Sequence, residues 1–341
     1  MAKKSYIIPI FIPHMGCPHD CSFCNQKKIA KEITKITGED VYKIIKQYIG
    51  FFPQNDVHKE IAFYGGSFTG LPMETQIELL TPAFETKTKG LVDGIRLSTR
   101  PDYIDRDILN LLDEYEVSTI ELGVQSTDDK VLELNNRGHT SKEVFSAVKL
   151  IREYDFKLGL QMMVGLLGDN ETTIQKTAVD IISLNPDFLR IYPTIVIKDT
   201  YLETLYIRGE YQPFTVEETI SICKGLLLTF KKSNIPVIRL GLQSNEDINY
   251  GKSLVAGPYH PAFREMVETE IYKGLIEEEI NKININKSKN IIIYCHPTSV
   301  SKVAGYKQSN KKYLMEKYKL SKIIIKYDEK MQEDEIKVQR I

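Results

Sequence analysis

Short apolar runs alternate with amphipathic stretches along the first two thirds of the chain. Runs at residues 7–12, 61–64, 94–97, 118–124, 157–164 and 187–191 are each brief, and turn residues close several of them. Between them, apolar side chains recur at helical spacing over 38–51, 73–84, 105–115, 141–154 and 171–184. Strands that alternate with helices predict a parallel sheet with right-handed crossovers. The expected fold is therefore α/β: a (β/α) partial TIM-type barrel of about six strands. A long helix over 215–232 and a further strand at 237–240 extend the pattern.

The last part of the chain reads differently. A helix over 261–282 leads into a Lys/Asn-rich linker at 281–290. A strand at 291–294, helices at 299–304 and 310–318, and a strand at 321–327 then give a small βααβ module. The expected organisation is a barrel over 1–245, a helical extension and linker over 246–290, and the βααβ module over 291–341. The module's order is that of a minimal KH-type core. Its interhelical turn, Gly305-Tyr306-Lys307-Gln308, has Gln308 where the second glycine of a Gly-x-x-Gly loop would stand.

Charge separates the same regions. The whole chain of 341 residues carries a net −1, but residues 281–341 hold 14 Lys+Arg against 6 Asp+Glu. A basic tail on an acidic body is the asymmetry of a segment that meets a polyanion, or of a solvated Lys-rich surface. No apolar stretch near the start approaches the roughly 20 residues of a membrane span. The expected setting is the cytosol, with no membrane partner.

Five cysteines make an odd set, which argues against a disulfide framework. Cys17, Cys21 and Cys24 fall within eight residues, directly after the first strand and at its carboxyl end, where (β/α) barrels place active sites. Three clustered thiolates can hold one metal or cluster and leave a coordination position open. A structural zinc site closed by His14 or His19 is the alternative. A 4Fe–4S cluster on three cysteines keeps one iron for an outside ligand.

The Cys17-x3-Cys21-x2-Cys24 spacing resembles that of the radical S-adenosylmethionine (SAM) superfamily. The resemblance implies a 4Fe–4S cluster on these three cysteines, SAM as cofactor, and an electron donor such as flavodoxin or ferredoxin. It implies that Phe23 packs near the adenine and that Gly65-Gly66-Ser67 receives the methionine amino group. Ser67 replaces the usual acid, which leaves backbone carbonyls for the ammonium. Ser98 and Gln125 would touch the ribose, Arg100 or Arg137 the carboxylate, and Met163 the adenine.

Within the superfamily the closer resemblance is to the radical SAM half of the Elongator catalytic subunit, over residues 5 to 245. It is carried by Glu121-Leu122-Gly123-Val124-Gln125-Ser126, Asn136-Arg137-Gly138-His139-Thr140 and Arg190-Ile191-Tyr192-Pro193-Thr194. Gly209-Glu210-Tyr211 and Ile235-Pro236-Val237-Ile238-Arg239 add to it. That family implies radical modification of the wobble uridine of tRNA, with acetyl-CoA as co-substrate. The residues after the barrel are too few for that family's acetyltransferase domain, no pyrophosphate loop for acetyl-CoA is visible, and the cysteine spacing is shorter than the family's. The expectation is a shortened relative that acts on tRNA or other RNA, with Arg190, Tyr192, Arg239 and His139 on the substrate side. A radical SAM enzyme acting on a small molecule such as a porphyrin, and a non-catalytic metal-stabilised RNA-binding protein, are the alternatives.

Overall fold

A computed structural model of the chain describes residues 5–12, 17, 20–25, 36–53, 57–242, 252–283 and 289–341. His14, His19, residues 284–288 of the linker and the expected boundary near 245 lie outside the described residues. The chain divides into two compact units, one built mainly from residues 1–214 with 230–239 and 244–258, the other from 215–229, 240–243 and 259–341.

The first unit contains β1 (Ser5–Ile12), α1 (Gly38–Phe51), β2 (His58–Gly65), α2 (Met73–Thr88), β3 (Gly94–Thr99), α3 (Arg106–Glu114) and β4 (Thr119–Gln125). It continues through α4 (Asp129–Leu134), α5 (Ser141–Ile151), β5 (Lys157–Val164), α6 (Glu171–Leu184), β6 (Phe188–Pro193), β7 (Val196–Ile197) and α7 (Tyr201–Ile207). After α8 (Val216–Lys232) come β8 (Val237–Leu240) and β9 (Leu254–Ala256). The sheet has seven strands in the order β1-β2-β3-β4-β5-β6-β8, which is chain order, and β1 to β6 pair in parallel. It forms a half-barrel of seven strands, β8 adding one to the six expected. The two short strands β7 and β9 pair antiparallel to each other.

Local sequence explains the helix starts. Thr37 and Asp40 form a reciprocal cap at α1, Asp105 accepts the Ile108 N–H at α3, and Asn170 accepts those of Thr172 and Thr173 at α6. Alternation along the strands then sorts the two faces. Ile8, Ile10, Ile61, Phe63, Ile95, Leu97, Ile120, Leu122, Leu158, Leu160, Leu189 and Ile191 are wholly or almost wholly buried and make the core under the helices.

Several positions on the opposite face are charged, which is unusual for a parallel sheet, whose strands commonly read as continuous apolar runs. They bring Glu60, Arg96, Glu121 and Arg190 together. Arg96 Nη2 lies 2.5 Å from Glu60 and its Nη1 3.1 Å from Glu121, while Arg190 Nε lies 2.6 Å from the other Glu121 oxygen. Arg190 also donates to the Tyr64 hydroxyl at 3.3 Å. Burial works against the charge on Arg190, but Glu121, Tyr192 and Tyr64 more than offset it, so the guanidinium is held above its ordinary pKa.

The second unit holds most of α8, then α9 (Phe263–Asn281), β10 (Asn290–Cys295), α10 (Val300–Ala304), α11 (Ser309–Lys317), β11 (Lys322–Tyr327) and β12 (Ile336–Arg340). The βααβ order is present, with β10 and β11 parallel, and β12 adds an antiparallel strand on the other side of β10. Tyr272, Ile276 and Ile280 of α9 share one core with Ile291, Ile293, Cys295, Val303, Leu314, Ile323 and Ile336. The turn before α11 is left-handed at Lys307 and Gln308, and a Cβ on Gly305 would stand 2.7 Å from the Asn310 nitrogen.

Glu121 is the shared partner of two largely buried guanidinium groups, so removing its charge strands both. Glu121→Gln is expected to lower unfolding stability by about 3–5 kcal/mol, read as a fall in the denaturation midpoint. An unchanged midpoint would show that the buried ion network contributes nothing to the fold.

Candidate functional site

Every parallel strand ends on the same edge of the sheet, so the end of β1 and the loops after β2, β3 and β4 lie side by side. Along that edge half of the sequence-selected residues meet. Gly65, at the end of β2, has φ +105, and a Cβ there would stand 2.7 Å from the Ile12 carbonyl oxygen at the end of β1. Only glycine lets the two strand ends approach so closely. The Gly66 N–H donates to the same carbonyl at 3.2 Å. Ser67 is buried; its hydroxyl lies 2.8 Å from that of Thr99 and accepts the Arg100 N–H at 3.3 Å.

The cysteine loop runs past these turns. Cys21 is buried, and Cys17 and Cys24 are partly exposed. Burial raises the Cys17 thiol above its ordinary pKa; the Ser67 backbone N–H and the charges of Arg137 and Arg100 pull the other way without reversing the shift. Arg137 Nη1 donates to Cys21 Sγ at 3.5 Å and its Nη2 to the Gly123 carbonyl at 2.7 Å. Among the described residues, no three His, Cys, Asp or Glu side chains are gathered closely enough to hold an ion as they stand.

Arg100, at 2 % exposure, is held by both carboxylate oxygens of Asp102, at 2.9 and 2.8 Å, and donates to the Arg137 carbonyl at 2.6 Å. Arg100 Nη1 and Arg137 Nε have no hydrogen-bond partner among the described residues. Two buried guanidiniums with spare donors beside a thiol loop fit an anionic group, because an unmade hydrogen bond there is costly. That is the charge of a thiolate-held iron–sulfur cluster and of a carboxylate bound next to it.

The other selected residues are more spread out. Gln125 ends β4 with a left-handed φ of +67 and accepts from Gln161 at 3.2 Å. Ser98, Met163 and Tyr192 are half-buried on β3, β5 and β6, with Met163 and Tyr192 in register. Phe23 packs on Val196, Leu202, Leu205 and Tyr211. Arg190 sits in the ion network described above, and Arg239 is half-buried on β8. His139 is buried, with Nε2 3.2 Å from the Val124 carbonyl. Burial and then the Arg137 charge push its pKa down to about 3, against the pull of Asp102, so the ring is neutral at ordinary pH.

Asn135 is a positioning residue that the sequence did not single out. Its side chain accepts from the Ser22 hydroxyl at 2.7 Å and donates to the Leu167 carbonyl at 2.9 Å, and its carbonyl accepts the Ser22 N–H at 3.0 Å. It therefore pins the cysteine loop to the loop after β5. Its one signal in the sequence is position: a polar residue just ahead of Asn136 and Arg137. Asn136 adds a bond from its side chain to the Asp20 carbonyl at 3.0 Å.

Comparison with known proteins places this arrangement. Residues 11–181 match the model of the radical SAM superfamily, and residues 186–273 match that of the radical SAM C-terminal domain. An uncharacterised protein of Methanocaldococcus jannaschii is 32 % identical over 217 residues, covering 62 % of this chain. A tRNA uridine(34) acetyltransferase of the same organism is 32 % identical over 143 residues, covering 41 % of this chain. The chain spans 63 % and 26 % of the lengths of these two relatives. Among solved structures, archaeal Elp3 of Methanocaldococcus infernus with an N-terminal deletion superposes with a TM-score of 0.62 at 20 % identity, over 80 % of this chain and 64 % of that one.

With Asn135→Ala the cysteine loop loses its clasp. In cluster-free protein, alkylation of buried Cys21, followed by mass spectrometry, is expected to speed up at least tenfold while the fold persists. An unchanged rate would mean that the loop is held by other contacts.

Proposed function

The chain belongs to the radical SAM superfamily, and from that premise we propose that it generates a substrate radical for the modification of tRNA. When bound, the 4Fe–4S cluster supplies the electron that cleaves SAM into methionine and a 5′-deoxyadenosyl radical. The observation that carries the site assignment is the pair of buried guanidiniums: Arg137 on the Cys21 sulfur, and Arg100 locked against the Arg137 carbonyl, each with a spare donor.

In this reading Cys17, Cys21 and Cys24 hold the cluster. Arg137, supported by Arg100, takes the SAM carboxylate, and a guanidinium fork suits a carboxylate. Backbone carbonyls of the Gly65-Gly66-Ser67 turn accept the ammonium. Ser98 and Gln125 serve the ribose, and Met163 and Phe23 give the adenine apolar walls. His139, neutral and buried, stands beside the Arg100–Asp102 pair with its Nδ1 4.0 Å from the carboxylate. Tyr192 and Arg239 face the substrate, and Arg190 sets the polarity of the concave face through Glu121. An enclosed site keeps water from a reactive radical.

Two observations support tRNA as the substrate. Relatives that share the barrel include tRNA uridine(34) acetyltransferases, and residues 281–341 are strongly basic. The proposed chemistry is hydrogen abstraction leading to modification at the wobble uridine.

The test is an anaerobic assay of iron-reconstituted protein with SAM and dithionite, read as 5′-deoxyadenosine, with and without bulk tRNA. Turnover is expected to depend on the cysteines, to vanish in the Cys17→Ala, Cys21→Ala, Cys24→Ala triple variant, and to rise with tRNA. Arg137→Gln is expected to raise KM for SAM roughly tenfold or more, the loss of a charge-assisted bond. Turnover indifferent to tRNA would overturn the substrate reading. No turnover from protein shown to hold its cluster would overturn the catalytic one.

A further inference from the structure

The helices and the core of the second unit lie on one face of its three-stranded sheet. That face carries Ile291, Ile293 and Cys295 of β10, Ile323 and Ile325 of β11, and Ile336 and Val338 of β12. Strand alternation sends the intervening residues to the other face. Register sets that outer face in rows. Tyr294 of the central strand pairs with Lys326 on one side and Lys337 on the other. In the next row Ile292 pairs with Ile324 and Gln339, and in the last Asn290 pairs with Lys322.

No acidic residue falls in these rows. Lys322, Lys326, Lys337 and Gln339 are exposed along its two edges, Tyr294 and Ile324 are half-buried, and Ile292 in the central strand is buried. Lys322 and Lys326 have no ion-pair partner among the described residues, whereas Lys337 is paired with Glu335 at 2.8 Å. Five acidic residues in the segment 328–335 mark one end of the sheet. Lys326 stands two residues from Asp328, so phosphate is favoured from Lys322 as far as Lys326 and disfavoured beyond it.

We propose that this outer face binds single-stranded RNA. A half-buried tyrosine ring between lysines, next to a small apolar row, is the combination that stacks an unpaired base while neutralising its flanking phosphates. A rigid duplex cannot splay a base onto such a face, so the preference is for unpaired segments, such as the loops of a tRNA. The proposal rests on tRNA being the substrate and assigns where the chain grips it. The acidic sum of the remaining chain, 31 Lys+Arg against 40 Asp+Glu, makes this module the natural place for that grip.

The test uses the full chain and a fluorescein-labelled single strand of roughly 12 nucleotides, a duplex of the same sequence, and bulk tRNA. Lys322→Glu with Lys326→Glu is expected to weaken binding of the single strand and of tRNA at least tenfold. It should also lower the log–log salt slope by about 1.4, at about 0.7 per phosphate contact on a single strand. Tyr294→Ala is expected to weaken binding at least fivefold with little change in slope.

The charge-matched control, Lys307→Glu with Lys312→Glu on the helical side, should bind nearly as tightly as the parent chain. Equal losses from both lysine pairs would overturn the face assignment and leave net charge as the cause. Tight tRNA binding unaffected by any of these variants would also overturn it, with tRNA as substrate still standing. If the parent chain binds neither RNA, the proposal falls. Whether tRNA stimulates SAM cleavage in the separate turnover assay then decides if the substrate reading falls with it. Preference for the duplex would overturn the single-strand assignment.

Discussion

The site depends on one buried side chain, the guanidinium of Arg100. It has left water almost completely, and a charge so placed persists only where paired and hydrogen-bonded. Asp102 supplies the opposite charge through two bonds, and the Arg137 carbonyl supplies a third acceptor. The Arg100 backbone N–H meanwhile reaches Ser67. One residue thus ties together the turns that follow β2 and β3 and the loop that follows α4. The geometry of Arg137 at the Cys21 sulfur follows from that tie.

The concave face of the half-barrel obeys the same rule at a larger scale. Glu60, Arg96, Glu121 and Arg190 form a chain of alternating sign across four strands. Breaking such a network costs more than it ever contributed, because the surviving charges are left without partners. Its value to the protein is a polar, fixed surface under the strand ends, in place of the apolar filling that closes an ordinary barrel core.

Much of this is legible in the sequence because it is written locally. Strand and helix periods and the Cys17, Cys21, Cys24 spacing each need only a short window. The seventh strand of the sheet, β8, is visible as the run at 237–240. What is not legible depends on register between distant segments. Glu121 and Arg190 are 69 residues apart, and Cys21 and Arg137 are 116 apart. No pattern along the chain announces that either pair will touch. The resemblance offers Arg100 or Arg137 for a carboxylate, and the contact of Arg137 with sulfur becomes visible only in three dimensions. Asn135 escapes notice because its role is to join two loops, which no local motif records. β12 lies in a stretch rich in charged residues and is a strand because β10 offers it an edge.

The central claim is that the cysteine loop and the two arginines form one site for a cluster and the amino-acid end of SAM. Electron–nuclear double resonance of the reduced, reconstituted protein tests it most directly, using SAM labelled with 15N at the amine and 17O at the carboxylate. The account predicts magnetic coupling of both nuclei to the cluster, with the 17O coupling altered or lost in Arg137→Gln. An intact cluster that couples to neither nucleus would contradict it.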